Sequence, residues 1–223
     1  MKKLLQFTLL VAMVFTFTNS ISAQKKMSNG LIKFKITEVD SDNQMASMMQ
    51  GTTIETYFKD EWVKTNFSMM GGMIRNQTIV NSNKKTGVML YDMMGKKIAV
   101  DLDMEKAEEK TPDYTISYDK KDVKTIAGYK CYRADVKIKD GDNMVMYITD
   151  KITPVGSQLN QQFKDLKGFP LQYQMDNGGL KMTLKASEVS TTVPSSNEFE
   201  VPDGYEKMTM EEFQKMAGSM GGM

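Results

Sequence analysis

The chain contains no histidine and a single cysteine. Without an imidazole, neither a Ser-His-Asp nor a Cys-His arrangement can be assembled, and no His-based zinc site can form. One cysteine, Cys131, cannot close an internal disulfide, so the core must hold the fold unaided. A buried, inert thiol is the expected role for such a residue. An excess of charge of either sign is also missing: 29 Lys and Arg face 28 Asp and Glu. No stretch is basic enough to track a phosphate backbone, and aromatics are not interleaved with arginine, so nucleic acid is not an expected partner. No Gly-rich loop ends in Lys-Ser/Thr, and no G-x-G-x-x-G opens a helix. Carboxylates are plentiful but fall in turns and on wet strand positions, with no pair singled out for glycoside chemistry. The expectation is a protein that is not an enzyme and needs no cofactor.

Long apolar runs are missing too, except at the start. Met1-Lys2-Lys3 precedes an apolar stretch from Leu4 to Phe17, followed by the small and polar Thr18-Asn19-Ser20-Ile21-Ser22-Ala23. That order predicts a signal peptide over 1–23, cleaved after Ala23. The apolar stretch is short for a membrane span. No cysteine follows the cleavage site to take a lipid anchor. The mature chain is expected in the periplasm or outside the cell, and not as an integral membrane protein. Its length of about 200 residues suits one domain with a substantial core. We divide it into a β domain over 24–207 and a short amphipathic helix with a Met/Gly-rich tail over 208–223.

What is present is a period of two. In "GLIKFKITEV" Ile32, Phe34 and Ile36 alternate with Lys33, Lys35 and Thr37, the pattern of a strand with one buried and one wet face. Ile54 and Phe58 share a side. Val63, Phe67 and Met69 alternate with Lys64, Asn66 and Ser68. Ile98, Val100 and Leu102 line up, as do Tyr132, Ala134, Val136 and Ile138. The gaps are short and rich in turn residues, Asn81 to Lys85 and Asn177-Gly178-Gly179 among them, so neighbouring strands should be antiparallel hairpins. The charged segment Asp103–Asp113 reads as a solvated loop or short helix.

Three segments change to helical spacing. Met45, Met48 and Met49 fall at i, i+3, i+4. Leu159, Phe163 and Leu166 follow a possible N-cap at Ser157, with Gly168 as the stop. Thr209-Met210-Glu211-Glu212 has the form of a capping box, with Met210, Phe213 and Met216 or Ala217 as the apolar stripe. The sum is a mainly β protein: ten or eleven antiparallel strands in a single curved sheet, an open half-barrel, with two or three short helices covering it.

Four further stretches carry a resemblance. "KTIAGYKCYRADV" at 124–136 with "MYITDKI" at 146–152, and "KGFPLQYQ" at 167–174 with "FEVPDGYEKM" at 199–208, resemble an uncharacterised family of exported Gram-negative domains of unknown function. Gly-Tyr-Lys-Cys and Val-Pro-x-Gly-Tyr are its most distinctive elements. The resemblance spans most of residues 28–208. Such domains are similar to the LolA-like lipoprotein-carrier group, which implies a curved, unclosed antiparallel barrel with helices as a lid over an apolar cavity. It supplies no catalytic residues.

Methionine is the surplus, at 22 residues. Met144, Met146, Met175 and Met182 sit at strand-alternating positions and read as core filler. Met45, Met48, Met49, Met69, Met70, Met73, Met93 and Met94 fall on a lid segment and at strand ends. There, with Phe58 and Phe67, unbranched thioethers could line a cavity that adapts to different apolar chains. On that reading the protein is an exported carrier or sensor of a lipid or other hydrophobic ligand at the cell envelope, with envelope proteins as further partners. The alternative is a Cu(I) site at Met69, Met70 and Met73, because soft ligands select a soft metal. A third reading is a structural or interaction module with no small ligand. Tyr57, Phe58, Trp62 and Phe67 are explained by cross-strand packing alone.

Overall fold

The structure is a computed structural model that describes residues 26–40, 49–69, 72–93, 95–105, 113–139, 141, 143–155, 163–177 and 180–220. The described residues form twelve strands, most of them built of alternating apolar and polar residues: β1 (Gly30–Asp40), β2 (Thr53–Lys59), β3 (Trp62–Met69), β4 (Ile74–Asn81), β5 (Thr86–Met93), β6 (Lys96–Asp103), β7 (Tyr114–Ile126), β8 (Tyr129–Ile138), β9 (Met144–Thr149), β10 (Phe169–Asn177), β11 (Leu180–Ser190) and β12 (Glu206–Met208). One helix, α1 (Met210–Met220), follows β12. All twelve strands belong to one sheet of order β12-β6-β5-β4-β3-β2-β1-β11-β10-β9-β8-β7. It is an open, unclosed, curved sheet, mainly β and half-barrel in form.

The order reflects two hairpin meanders, β1 to β6 and β7 to β11, zipped together where β1 pairs antiparallel with β11. β6 and β7 therefore lie near opposite ends of the strand order. Most of the charged segment expected between them, 106–112, lies outside the described residues. Register shifts in β1, β7 and β10 add local twist, which helps so long a sheet to curl.

The inner face carries the main core. Ile32, Phe34 and Ile36 of β1, Phe58 of β2, Ala134 and Val136 of β8, Met146 and Ile148 of β9, and Leu184 of β11 are all nearly or fully buried there. Phe163 and Leu166 fill the hollow from outside the sheet. The expected helix does not continue through these two residues to Gly168. Phe163–Leu166 is a turn, with the Leu166 N–H donating to the Phe163 carbonyl at 3.0 Å. Gly168 serves a different need: a Cβ there would lie 2.8 Å from the Thr149 carbonyl oxygen, so only glycine allows the approach. Tyrosine hydroxyls fasten this turn. Tyr132 donates to the Lys167 carbonyl at 2.8 Å, and Tyr118 donates to the Asp165 carbonyl at 3.1 Å while accepting from the Lys167 N–H at 3.0 Å.

Two more expectations change. β12 was not anticipated, and it pairs parallel to β6, so the sheet is not wholly antiparallel. Between β7 and β8 lies the Ala127–Gly128 turn, where both residues take positive φ. Lys64, assigned to a wet face, is buried at 7 % exposure. The cause is the chain after β11, which crosses the outer face of β3–β6 and sets Phe199 against Ile79, Leu90 and Ala99, with Trp62, Val88 and Tyr205 around them. Past that strap the chain rounds the β6 edge as β12 and returns as α1 on the inner face. The capping box forms as expected: the Thr209 N–H donates to Glu212 Oε2 at 2.8 Å, and the Glu212 N–H donates to Thr209 Oγ1 at 3.2 Å.

Candidate functional site

Register defines the inner face of β2–β6 as rows of side chains running across the strands. Met69, Ile74, Met93 and Lys96 form the row at one end. Ile54, Phe67, Asn76, Tyr91 and Ile98 form the next, followed by Thr56, Thr65, Thr78, Met89 and Val100. Alternation alone places these residues together, since each strand turns every second side chain inward.

The two halves of the inner face differ in how they are covered. Along β1 and β8–β11 the inward apolar side chains are mostly sealed, and Phe163 and Leu166 plug the space between them. Across β3–β5, Phe67, Met69, Ile74, Met89, Tyr91 and Met93 all remain half-exposed. Among the described residues the cover of this second half is α1. The Phe213 ring stacks on Tyr91 with centroids 4.4 Å apart, and Lys96 Nζ lies 3.3 Å from Met216 Sδ. Two polar groups sit in the same apolar row. Asn76 Oδ1 is shielded from solvent and has no hydrogen-bond partner among the described residues. The Tyr91 hydroxyl donates to the Met89 thioether at 3.4 Å, and burial pushes its pKa up from the ordinary value.

The residues proposed from sequence fall in different places. Met69, Met93 and Phe67 lie in the two rows nearest the strand ends. Phe58 is fully buried, its ring 6.4 Å from that of Phe169, and packs within the core. Met49 is half-buried against that core. Met73 is 50 % exposed beside the start of β4. Met45, Met48, Met70 and Met94 lie outside the described residues. Of the copper alternative, Met69 and Met73 are therefore placed at either side of the β3–β4 connection, and the third thioether is not described. Met146 and Met182 are buried core residues, and Met144 packs against the same core. The four aromatics treated as one group divide between faces, Phe58 and Phe67 inward and Tyr57 and Trp62 outward. Sequence reasoning passed over Asn76, Tyr91 and Phe213. The spacing Met89-Tyr91-Met93 held the signal for Tyr91, because it puts the ring on the same face as both methionines.

The motif residues have structural work. Gly204, with φ of 84°, turns the strap so that Tyr205 lands on the outer face, where Lys97 Nζ lies 5.7 Å from its ring centroid. Cys131 is fully buried and free, and burial pushes its thiol up to about 12. No group of three or more Cys, Asp or Glu side chains able to hold a metal occurs among the described residues. Nor is any described helix long and apolar enough to cross a membrane.

The fold thus belongs to the class of open, curved β half-barrels. No family model and no curated protein matches the chain. Solved structures resemble it at low identity. An uncharacterized conserved protein from Thermus thermophilus matches with a TM-score of 0.51 at 10% identity, over 82% of this chain and 91% of that one. MucB matches with a TM-score of 0.34 at 11% identity, over 81% and 60%. A beta-barrel-like protein of the domain of unknown function DUF1849 from Brucella abortus matches with 0.37 at 10%, over 77% and 100%. The first is a likeness of fold and says nothing of activity, and the two lower scores add no argument.

Proposed function

We propose that this chain is an exported, non-enzymatic binding protein of the cell envelope that carries or senses a lipid or another apolar molecule on the inner face of β3–β5. The observation that carries this reading is the unequal cover of one continuous apolar face. Half of it is plugged by buried side chains, whereas the Phe67, Met69, Met89, Tyr91 and Met93 half stays partly open beneath α1. A helix of 11 residues is marginal in water by itself, so its docking is readily reversed. Methionine side chains re-pack around chains of different shape at little cost. The resemblance to LolA-like carriers supports the same reading.

Export is part of the proposal, and intact mass of the secreted protein should begin at Gln24. Binding is tested by native mass spectrometry of protein purified from its own envelope without detergent, followed by organic extraction. An apolar molecule should co-purify, and a chain ending at Met208, which lacks α1, should exchange a fluorescent fatty acid faster than the full chain. Repeated preparations of bare mass with no uptake of that fatty acid would end the proposal.

A further inference from the structure

On the opposite face, beyond the edge of the strap, lies a polar cleft of about 380 Å³ lined by Glu55, Asn66, Phe67, Ser68, Gly72, Arg75 and Gln77. Its floor follows from register. Glu55, Asn66 and Gln77 are direct cross-strand neighbours on β2, β3 and β4, and Ser68 faces Arg75 in the next row. Asn66 Oδ1 and Gln77 Oε1 are both shielded from solvent, and among the described residues neither accepts a hydrogen bond, a state they share with Asn76 Oδ1 on the inner face and Asn81 Nδ2. Buried acceptors without partners are costly and are normally avoided. Leu90, the next residue in the same row, is fully buried, so an apolar residue at 77 would simply extend its packing. The sequence keeps two amides where stability favours apolar side chains, a pattern typical of functional positions.

We propose that this cleft binds a neutral, hydroxyl-bearing small molecule with the chemistry of a single sugar ring. The charges argue for neutrality. The Arg75 guanidinium, tied through Nε to the Gly72 carbonyl at 3.1 Å, shares the cleft with Glu55 and stands opposite Asp92, its cross-strand neighbour on β5. A free anion would meet Glu55, and a free cation would meet Arg75. Hydroxyl groups satisfy both, since each donates and accepts. The amides argue for the same class. A half-turn about the last side-chain bond exchanges oxygen for nitrogen, so Asn66 and Gln77 can each offer a donor or an acceptor, and a hydroxyl matches either. The volume lies at the small end of ligand clefts, which run from ~300 to 1,000 Å³, and leaves room for one ring. This site faces away from the apolar rows and does not depend on the lipid reading.

The test uses the folded protein labelled with ¹⁵N and methyl α-D-glucopyranoside as the probe, with cyclohexanol and inorganic phosphate as comparison ligands. The side-chain NH₂ resonances of Asn66 and Gln77 should shift saturably with the glucoside at millimolar concentration, and not with cyclohexanol or phosphate. Gln77→Leu should weaken glucoside binding about tenfold or more while leaving the melting temperature unchanged or raised. No saturable shift would overturn the proposal. So would a shift produced equally by phosphate, which would make the cleft an anion site. A clear fall in melting temperature for Gln77→Leu would also overturn it, because the amide would then be serving the fold.

Discussion

Lys64 offers the sharpest test of how the strap is held. Its side chain is 9 % exposed, and its Nζ lies 3.4 Å from Oε2 of Glu198, whose side chain is 42 % exposed. At an effective dielectric of about 20 the gross attraction over this distance is ~5 kcal/mol. Most of it is offset by the water that the ammonium loses, and solvent reaching Glu198 screens the rest. The two partners are therefore not equivalent. Glu198→Gln leaves a buried ammonium without its counter-charge, and should cost about 1–2 kcal/mol, below the ~3–5 of a fully buried pair. Lys64→Met removes the charge and keeps the volume between Tyr57 and Ile79, its cross-strand neighbours. It should change stability by less than about 1 kcal/mol, the main loss being a weak cation–π contact with Tyr57, whose ring centroid is 6.0 Å away. Glu198→Gln added to Lys64→Met should then have almost no further effect. Urea unfolding followed by fluorescence measures all three, because the one tryptophan, Trp62, sits 6.3 Å from Phe199 of the strap. The reasoning fails if Lys64→Met destabilises as much as Glu198→Gln.

Cys131 should resist thiol reagents in the native state at neutral pH and react fully in urea; stoichiometric labelling of the folded protein would contradict its burial. Its thiol is raised from 9.0 to about 12 by burial, and Tyr57 is raised from 10.0 to about 12 by burial and by its hydrogen bond to Glu55. Below these ordinary values both states hold the proton. Above them the unfolded chain ionises first, so stability should fall as pH rises from about 9 towards 12, and Cys131→Ala should make that fall shallower. Ile36→Asp should leave the chain unfolded by circular dichroism, since Ile36 is 1 % exposed in the core, whereas Lys35→Asp on the exposed face should be nearly silent.

The legible part of the fold was the part written in local alternation. Ile32-Phe34-Ile36 and Ala134-Val136 each announced both a strand and its inward face, because side-chain period and burial coincide there; Ile98-Val100-Leu102 announced a strand although Ala99 between them is buried as well. The hairpin at Asn177-Gly178-Gly179 was also readable, and Asn177 does pair with Leu180. The strand β12 was not readable: Glu-Lys-Met is three residues long and becomes a strand only by lying against the β6 edge. The expected helix, whose first part, 157–162, lies outside the described residues, does not include Phe163 and Leu166, for a related reason. Their apolar spacing was real, but the core and the tyrosines of β7 and β8 hold them in a turn.

For the candidate site, the sequence supplied the residue types and tertiary structure supplied the neighbours. Methionine content, the missing histidine and the single cysteine were enough to set aside imidazole chemistry and a disulfide scaffold. They were enough, too, to point towards adaptable apolar contacts. They could not separate Met146 in a sealed core from Met93 beneath a docked helix, because both occupy inward strand positions. That difference depends on what the rest of the chain brings over each part of the sheet: Phe163 over one half, Phe213 over the other, and Phe199 across the back. Phe213 and Phe199 come from segments remote in sequence from the strands they cover, whereas Phe163 shortly precedes β10. Period two tells which face a side chain takes; only long-range packing decides whether that face is sealed, half-open or wet.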